Sequence, residues 1–240
     1  ATKKAQNTEM LIPKHRTLSV FEGERISKGD IISMPTNMFR GFENAGKEEG
    51  LIFVVLGNDD PGIITWVPNV LIKAKETGLA LLDDNSLVDL KESEIPPNRK
   101  LLEPITNEML QKFDNYEINE IEKFICRFKN QTNHEIDLKN GIKLIQIIGS
   151  NFSNNKYDHL INHNTGFNLS ILKARKGLIE DLIFDKPTIL FSQKGTWKVK
   201  IEKDEFNINS KDTFSIPLNT KVSISIDNDE ECFLNCVSKA

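Results

Sequence analysis

Apolar residues occur along most of this chain in short runs or in alternation with polar ones, which is typical of β-strands. Residues 51–57, LIFVVLG, form a continuous apolar run and predict a strand buried on both faces. Residues 79–90, LALLDDNSLVDL, predict a hairpin that turns at Asp84 and Asn85. From Phe167 to the end, short apolar segments alternate with polar turns, as they do in a β-sandwich or barrel.

The middle of the chain has a different periodicity. Over residues 106–130 apolar side chains recur three and four positions apart, which predicts one amphipathic helix. The proline-rich residues 92–104 directly before it indicate a linker. The predicted division is an N-terminal β-unit at 1–103, a linker with the helix at 104–150, and a C-terminal β-unit at 151–240. The apolar face of the predicted helix consists of Ile118, Ile121, Phe124, Ile125 and Phe128.

The two predicted β-units share a short motif. Asp30-Ile-Ile-Ser-Met-Pro-Thr-Asn37 aligns with Asp212-Thr-Phe-Ser-Ile-Pro-Leu-Asn219, at an offset of 182 residues. Asp, Ser, Pro and Asn keep their spacing in both segments. Upstream, residues 17–20 align with residues 196–199 at an offset of 179, as a hairpin longer by three residues would produce. This repeat predicts two copies of one β-unit.

Composition excludes several functions. The chain has 240 residues, 28% of them charged and 38% hydrophobic, with a net charge of −4, as in an ordinary globular protein. No apolar run approaches the roughly 20 residues that span a bilayer, so a membrane role is not expected. The weakly negative charge without a basic stripe argues against nucleic-acid binding. The three cysteines lack zinc-site spacing and predict reduced thiols in a cytoplasmic protein.

The spacing of Gly29, Pro35 and Asn44 resembles the second conserved motif of the cupin superfamily, small jelly-roll barrels that often hold a divalent metal. Glu9, in TEMLIPKHRTLSVFEG, occupies the glutamate position of the first cupin motif. The phrases PTNMFRGFENAG and LIFVVLGNDDPG look similar to a group of two-domain cupins. The resemblance implies a mainly all-β chain with two jelly-roll barrels joined by a helical connector. The strands that precede the first motif would then lie upstream of Ala1 or be replaced by another segment.

The resemblance also locates the metal ligands, which in cupins are imidazoles and a carboxylate. In the N-terminal unit only Glu9 keeps a ligand type, and in the C-terminal unit no position does. We therefore expect no metal in either barrel and no other cofactor. The positions are Lys3, Ala5, Glu9 and Arg40 in the first unit, and Leu182, Phe184, Thr188 and Val222 in the second.

The four histidines are scattered along the sequence. We interpret His159 and His163, within DHLINHN, as polar loop residues, with a surface metal site that includes Asp158 as the alternative. Adjacent carboxylates such as Asp59 and Asp60 mark turns rather than acid/base pairs. The sequence also has no glycine-rich phosphate loop.

Arg40 is the candidate binding residue. The motif places it inside the first barrel near Glu9, where a buried guanidinium needs a partner. Two interpretations stay open: Arg40 pairs with Glu9 and fills the former metal space, or Arg40 binds the carboxylate of a ligand between aromatic walls of Phe42 and Trp66. If Arg40 points inward, strand alternation directs Phe42 inward and Phe39 outward.

Three functions remain, ranked in the following order. The first is a metal-free two-domain cupin that binds a small organic anion or serves as a structural or regulatory dimer. The second is a metal-dependent cupin enzyme such as a dioxygenase. The third is a metal-independent isomerase or epimerase, although that chemistry requires a tyrosine in the barrel and both tyrosines, Tyr116 and Tyr157, lie elsewhere. We expect a homodimer, because the predicted helix is more apolar than a tether requires and cupins commonly pair through sheet edges.

Overall fold

A computed structural model describes residues 10–11, 25–57, 64–138, 140–149, 158–163 and 166–240. The chain forms two compact units that interleave in sequence. The N-terminal unit contains Ala1–Ile26, Pro35–Gly50 and Asp60–Ile118, and the C-terminal unit contains Ser27–Met34, Leu51–Asp59 and Asn119–Ala240.

Strands dominate the described residues, so the expectation of a mainly β chain is confirmed. The helices are α1 (Pro68–Glu76), α2 (Asn107–Leu110), α3 (Ile118–Glu122) and α4 (Phe128–Gln131), followed by a 3₁₀ turn at Thr132–His134. The first seven strands are β1 (Met10–Leu11), β2 (Arg25–Ile26), β3 (Ile31–Ile32), β4 (Leu79–Leu81), β5 (Leu87–Asp89), β6 (Ile125–Cys126) and β7 (Ile136–Asp137). The others are β8 (Lys143–Ile148), β9 (Phe167–Ile183), β10 (Thr188–Lys194), β11 (Trp197–Ile201), β12 (Asp204–Ile208), β13 (Thr213–Ile216) and β14 (Lys221–Lys239).

A helix and a hairpin follow each other in the N-terminal unit. α1 is followed by Gly78 at φ 91°, where glycine's lack of a Cβ permits the left-handed conformation that ends the helix. β4 and β5 form the predicted antiparallel hairpin, with Ala80 opposite Val88. Its turn contains Asn85 at φ 64°, and the Asp84 carboxylate accepts a hydrogen bond from the Ser86 N–H at 3.0 Å.

The single helix predicted over residues 106–130 is wrong. α2, α3 and α4 share this segment with β6, and Thr106 caps α2 by accepting a hydrogen bond from the Met109 N–H at 3.2 Å. Ile121 and Phe124 are buried as predicted, but Phe128 is 38% exposed. β6 pairs antiparallel with β3. The chain therefore forms a strand with a distant segment at a place where the sequence has helical periodicity.

The C-terminal unit contains one sheet with the strand order β12-β11-β14-β9-β8-β7, and β10 pairs with both β14 and β13. β9 and β14 are 17 and 19 residues long and pair antiparallel, with a register shift between Asp227 and Cys232. β11 pairs with the first part of β14, whereas β10 pairs with its last part. The two long strands therefore join two groups of strands. β7 and β8 lie in the range predicted as linker, so the sheet reaches back before residue 151.

Buried side chains from both groups of strands form one cluster. Trp197 from β11, Leu190 from β10 and Leu234 from β14 are all 0% exposed within it. The two groups therefore pack face to face as a sandwich. A second cluster lies on the opposite face of β8, β9 and β14 and includes Ile145, Ile171 and Phe233. These strands are covered on both faces.

Two strands expected in the first half of the chain are not found. Residues 51–57 and 39–42 have no strand assignment, and Val54 is 64% exposed. Each segment has strand-favouring residues, but a strand also requires a neighbour that supplies hydrogen bonds. Within the described ranges, no helix has both the length and the apolar character needed to cross a bilayer.

Candidate functional site

The two copies of the repeated motif have matching backbone conformations at two positions. Gly29 and its counterpart Lys211 have positive φ angles of 88° and 78°. Asn37 and its counterpart Asn219 also have positive φ angles, of 60° and 58°. Residues other than glycine rarely adopt this conformation, and asparagine is among those that do so most often. The repeat is therefore a repeat of structure as well as of sequence.

The turn before each motif strand is held by equivalent hydrogen bonds. The Asp30 carboxylate accepts a hydrogen bond from the Ser27 N–H at 3.0 Å, and Asp212 accepts one from the Asn209 N–H at 2.9 Å. The Asp30 N–H donates to the Ser27 carbonyl at 3.0 Å, and the Asp212 N–H donates to the Asn209 carbonyl at 2.9 Å. An aspartate that bonds its own turn in this way explains why both copies keep the residue.

Asp30 has further partners that Asp212 lacks. Its side chain is only 5% exposed, and it accepts hydrogen bonds from the Phe128 N–H at 2.8 Å and from Arg127 Nη1 at 3.2 Å. Arg127 also binds Glu122 through two nitrogens, at 3.1 and 2.7 Å. The hydrogen bonds of this carboxylate hold the turn together and connect it to the segment that contains α3, β6 and α4. We therefore regard Asp30 as structural.

The four positions that the resemblance gives as metal ligands in the C-terminal unit lie in or against its apolar core. Phe184, Thr188 and Val222 are each 1% exposed, and Leu182 packs against the same cluster. The Thr188 hydroxyl donates to the Lys186 carbonyl at 3.0 Å. None of the four supplies an imidazole or a carboxylate, so this set of residues does not fit a divalent cation. No cluster of three or more His, Cys, Asp or Glu side chains suited to a metal occurs in the part of the chain that the structure describes.

Polar side chains beside Thr188 were not identified from the sequence. Ser238 lies opposite Thr188 across one strand pair and opposite Asn168 across another, and all three are buried. Ser170 lies on the same face of β9 as Asn168 and is 0% exposed, and its hydroxyl has no hydrogen-bond partner among the described residues. In the sequence, the alternation of Asn168, Ser170 and Leu172 is the pattern that could have indicated this polar row. These polar side chains carry no charge, so they can form hydrogen bonds but cannot form an ion pair with an anion.

The predicted binding residues are exposed rather than interior. Arg40 is exposed and forms neither a hydrogen bond nor an ion pair with any described residue. Phe42 is 46% exposed and Trp66 is 37% exposed. Phe39, expected to face outward, is half-buried with its ring centroid 4.5 Å from that of Phe113. The alternation argument does not hold because residues 39–42 form no strand.

Three of the four predicted binding residues lie within the described structure. Arg40, Phe42 and Trp66 all belong to the N-terminal unit. Among the residues described, no hydrogen bond or ring contact joins any two of the three. Glu9 lies outside the described residues, so the proposed pair with Arg40 stays a prediction.

A cleft of about 160 Å³ lies in the N-terminal unit between α1 and residues 101–104. Its lining is mainly apolar and includes Lys75 and Glu103. This volume is smaller than the roughly 300 Å³ at which ligand pockets usually begin, so only a very small molecule would fit.

Lys173 forms the most buried ion pair among the described residues, with its side chain 8% exposed. Its ammonium group lies 2.5 Å from Glu135 and 3.3 Å from Glu231, and Glu135 also binds Lys143 at 2.5 Å. Burial alone raises the pKa of Glu135, but hydrogen bonds and charge from the two lysines outweigh it and hold the pKa below the usual 4.5. Each charge has an opposite partner, so we interpret this cluster as structural.

His163 is connected more closely to the fold than the sequence predicted. Its Nδ1 lies 2.6 Å from the Ser33 hydroxyl, and its ring makes an edge contact with Phe124 at 5.0 Å. A serine bonded to a histidine is a nucleophile arrangement only when a third group orients the base. No carboxylate is hydrogen-bonded to His163 within the described structure. We interpret the pair as a packing contact.

Comparisons with known proteins give limited similarity. No family model matches the sequence, and no curated protein is significantly similar to it. The structure is similar to the EutQ protein of Clostridium difficile, with 12% identity over 50% of this chain and 89% of that one, and a TM-score of 0.36. KdgF from Halomonas sp. is 14% identical over 46% of this chain and 90% of that one, with a TM-score of 0.35. An RmlC-like cupin from Shewanella frigidimarina is 9% identical over 44% of this chain and 81% of that one, with a TM-score of 0.34. TM-scores this low assign no fold, so the architecture above rests on the strand pairing alone.

Proposed function

We propose that this chain is a two-barrel protein of the cupin type that has lost the metal ligands of both barrels and binds a small organic anion. The repeated turn supports the two-barrel origin, because its φ angles and its aspartate hydrogen bonds match in both copies. The sandwich built on β9 and β14 supports a jelly-roll form for the second copy. The first barrel includes residues 1–103 in this proposal.

The replaced ligand positions argue against a metal-dependent enzyme. Leu182, Phe184 and Val222 offer a cation no electron pair, and Thr188 offers only a hydroxyl already bonded to a carbonyl. In the first copy, Lys3, Ala5 and Arg40 stand where imidazoles would be. An isomerase is disfavoured because Tyr116 and Tyr157 lie away from the motif positions.

The observation that carries the binding proposal is the free guanidinium of Arg40. It is exposed and has no anionic partner among the described residues. Arginine binds a carboxylate with two parallel hydrogen bonds, so this group is available for a ligand that carries one. Phe42 and Trp66 supply exposed aromatic surface in the same unit, and Glu9 completes the proposed site.

A thermal-shift series with small mono- and dicarboxylates tests the proposal on the wild type and on Arg40→Met. At about 100 times Kd a ligand stabilises the protein by about 2.7 kcal/mol, which raises the Tm of a protein of this size by roughly 5–10 °C. We expect that shift in the wild type and its loss in Arg40→Met, and we expect EDTA to leave both Tm values unchanged.

The matched control is Arg99→Met, in the same unit. Arg99 is also partly exposed but is already paired, with Asp84 at 2.9 Å and with Asp83 at 3.8 Å. This variant should keep the ligand shift. The binding proposal fails if no carboxylate shifts the wild type, or if Arg40→Met keeps the full shift. A Tm that EDTA lowers would restore the metal-dependent enzyme.

A structural or regulatory homodimer is the second candidate. The observation that favours it is the exposed apolar surface of residues 51–56, in which Leu51 is 68% exposed and Val54 and Leu56 are each 64% exposed. The proposal also places the protein in the cytoplasm, because all three cysteines are buried and unpaired, as in a reducing compartment.

A further inference from the structure

The cleft in the N-terminal unit is formed by three backbone segments, which are α1, β4 and residues 101–104. The third segment is held against β4 by two backbone hydrogen bonds. The Leu102 N–H donates to the Leu81 carbonyl at 2.8 Å, and the Asp83 N–H donates to the Lys100 carbonyl at 2.9 Å. The cleft is therefore built into the fold of this unit, as small-molecule sites usually are.

The apolar side of the cleft belongs to a packed core. Ala80 is 6% exposed in a buried cluster with Leu82 and Val88, and Leu101 packs against that cluster. Leu71 lines the cleft from α1. An aliphatic group that enters the cleft therefore leaves water and contacts apolar carbon, which is favourable.

Two charged side chains of opposite sign, Lys75 and Glu103, also line the cleft. Both are exposed, and neither forms an ion pair with the other or with any further residue that the structure describes. Arg99 of the same unit shows the contrast, because it is paired with Asp84 at 2.9 Å. A cleft that presents a cation and an anion, neither of them neutralised by the described structure, is complementary to a ligand that carries both charges.

The volume of the cleft limits the size of that ligand. Its 160 Å³ equals the space that about five water molecules occupy in the liquid. Covalently bonded atoms lie closer together than water molecules do, so the cleft holds about six to eight non-hydrogen atoms. Alanine and valine fall within this range, whereas phenylalanine exceeds it.

We propose that this cleft binds a small aliphatic α-amino acid, of which valine is the largest that the volume admits. The carboxylate of the ligand binds the Lys75 ammonium group, its ammonium group binds the Glu103 carboxylate, and its side chain contacts Leu71 and Leu101. In an α-amino acid both charged groups are attached to one carbon atom, and the side chain leaves that atom in a third direction. One ligand therefore uses both charges and the apolar side of the cleft together.

The binding is expected to be weak. Lys75 and Glu103 are exposed, so water and salt screen each ion pair with the ligand. We expect a Kd for valine on the order of 1 mM, with a higher Kd at high salt.

A nuclear magnetic resonance titration of the isotope-labelled full chain with valine measures this Kd through the amide signals of the residues that line the cleft. Three analogues each lack one part of valine. Isovalerate lacks the ammonium group and isobutylamine lacks the carboxylate, and each should bind about three- to fivefold more weakly, as for the loss of one exposed ion pair. Glycine lacks the aliphatic side chain and should bind about 10-fold more weakly.

Lys75→Met and Glu103→Gln should each raise the Kd for valine about three- to fivefold, and the double variant should raise it about 10-fold or more. Neither residue is paired within the described structure, so the circular dichroism spectrum and the Tm should not change. Lys73→Met and Glu76→Gln are the matched controls. Both residues are exposed and lie on α1, but neither lines the cleft, so these variants should bind valine as the wild type does.

Three results would overturn this proposal. The first is no saturable shift with valine at about 20 times the expected Kd. The second is a valine Kd that stays the same in the double variant, and the third is isovalerate binding as tightly as valine. None of these results bears on the anion proposal, because Arg40, Phe42 and Trp66 do not line the cleft and the Arg40 series uses carboxylates without an ammonium group.

Discussion

The two copies of the repeated turn allow one perturbation to be compared in two environments. Asp30→Ala and Asp212→Ala remove the same side chain from the same backbone turn. Asp30 accepts hydrogen bonds from the N–H groups of Ser27 and Phe128 and from Arg127, with its side chain 5% exposed. Asp212 is exposed and accepts only the turn bond from Asn209.

The expected costs differ severalfold. Breaking a buried ion pair by removing one partner costs about 3–5 kcal/mol, because the remaining charge and donors lose their bonds. Arg127 keeps its two bonds to Glu122, which limits the loss, so we expect Asp30→Ala to lower the free energy of unfolding by about 3 kcal/mol. Asp212→Ala removes one solvent-exposed bond and should cost about 1 kcal/mol.

Urea unfolding followed by tryptophan fluorescence and by circular dichroism measures both values. Asp30→Asn is an informative intermediate, since its amide oxygen accepts the Phe128 bond but carries no charge for Arg127. Equal costs for Asp30→Ala and Asp212→Ala, within about 0.5 kcal/mol, would refute the reasoning. That result would mean that the contacts with Arg127 and Phe128 add nothing to the turn itself.

Two further predictions concern ionisable groups. The lowered pKa of Glu135 means that its charged form stabilises the fold fully above about pH 4.5 and progressively less as the pH falls through the lower, folded value. The stability difference between wild type and Glu135→Gln should therefore be larger at pH 7 than at pH 3, and a pH-independent difference would contradict it. Burial raises the pKa of each thiol, to about 11 for Cys126. All three should react with a thiol reagent at pH 8 at least 100-fold more slowly in the native protein than in urea, and one fast native thiol would contradict this. The other two thiols are Cys232 and Cys236, whose pKa values are also raised by burial.

Local patterns in the sequence were sufficient to predict the turns. The hairpin at Asp84 and Asn85 and the matching motifs from Asp30 and Asp212 follow from the sequence alone. Each depends on residues within a few positions of one another, through a positive φ angle or an aspartate that bonds its own turn. The resemblance to cupins gave four positions in the second copy as former metal ligands, and two of them, Phe184 and Val222, lie in the apolar core.

The candidate site was only partly predictable. Arg40 is a candidate because an inward guanidinium requires a partner. The inward orientation depends on a strand at residues 39–42, and the structure has no strand there. What remains of the prediction is an exposed guanidinium with no ion pair among the described residues. The contact between Ser33 and His163 joins residues 130 positions apart and left no trace in the sequence pattern.

By itself the sequence determined the β-rich character, the repeat and the turns, because residue type and short-range geometry decide all of these. The tertiary structure alone decided which apolar segments became strands. Residues 106–130 have helical periodicity yet contribute β6, which pairs with β3. Residues 51–56 are strand-forming types yet pair with no described strand. The physical reason is that a helix bonds within its own segment, whereas a strand depends on a neighbour supplied from elsewhere in the chain or by a second copy.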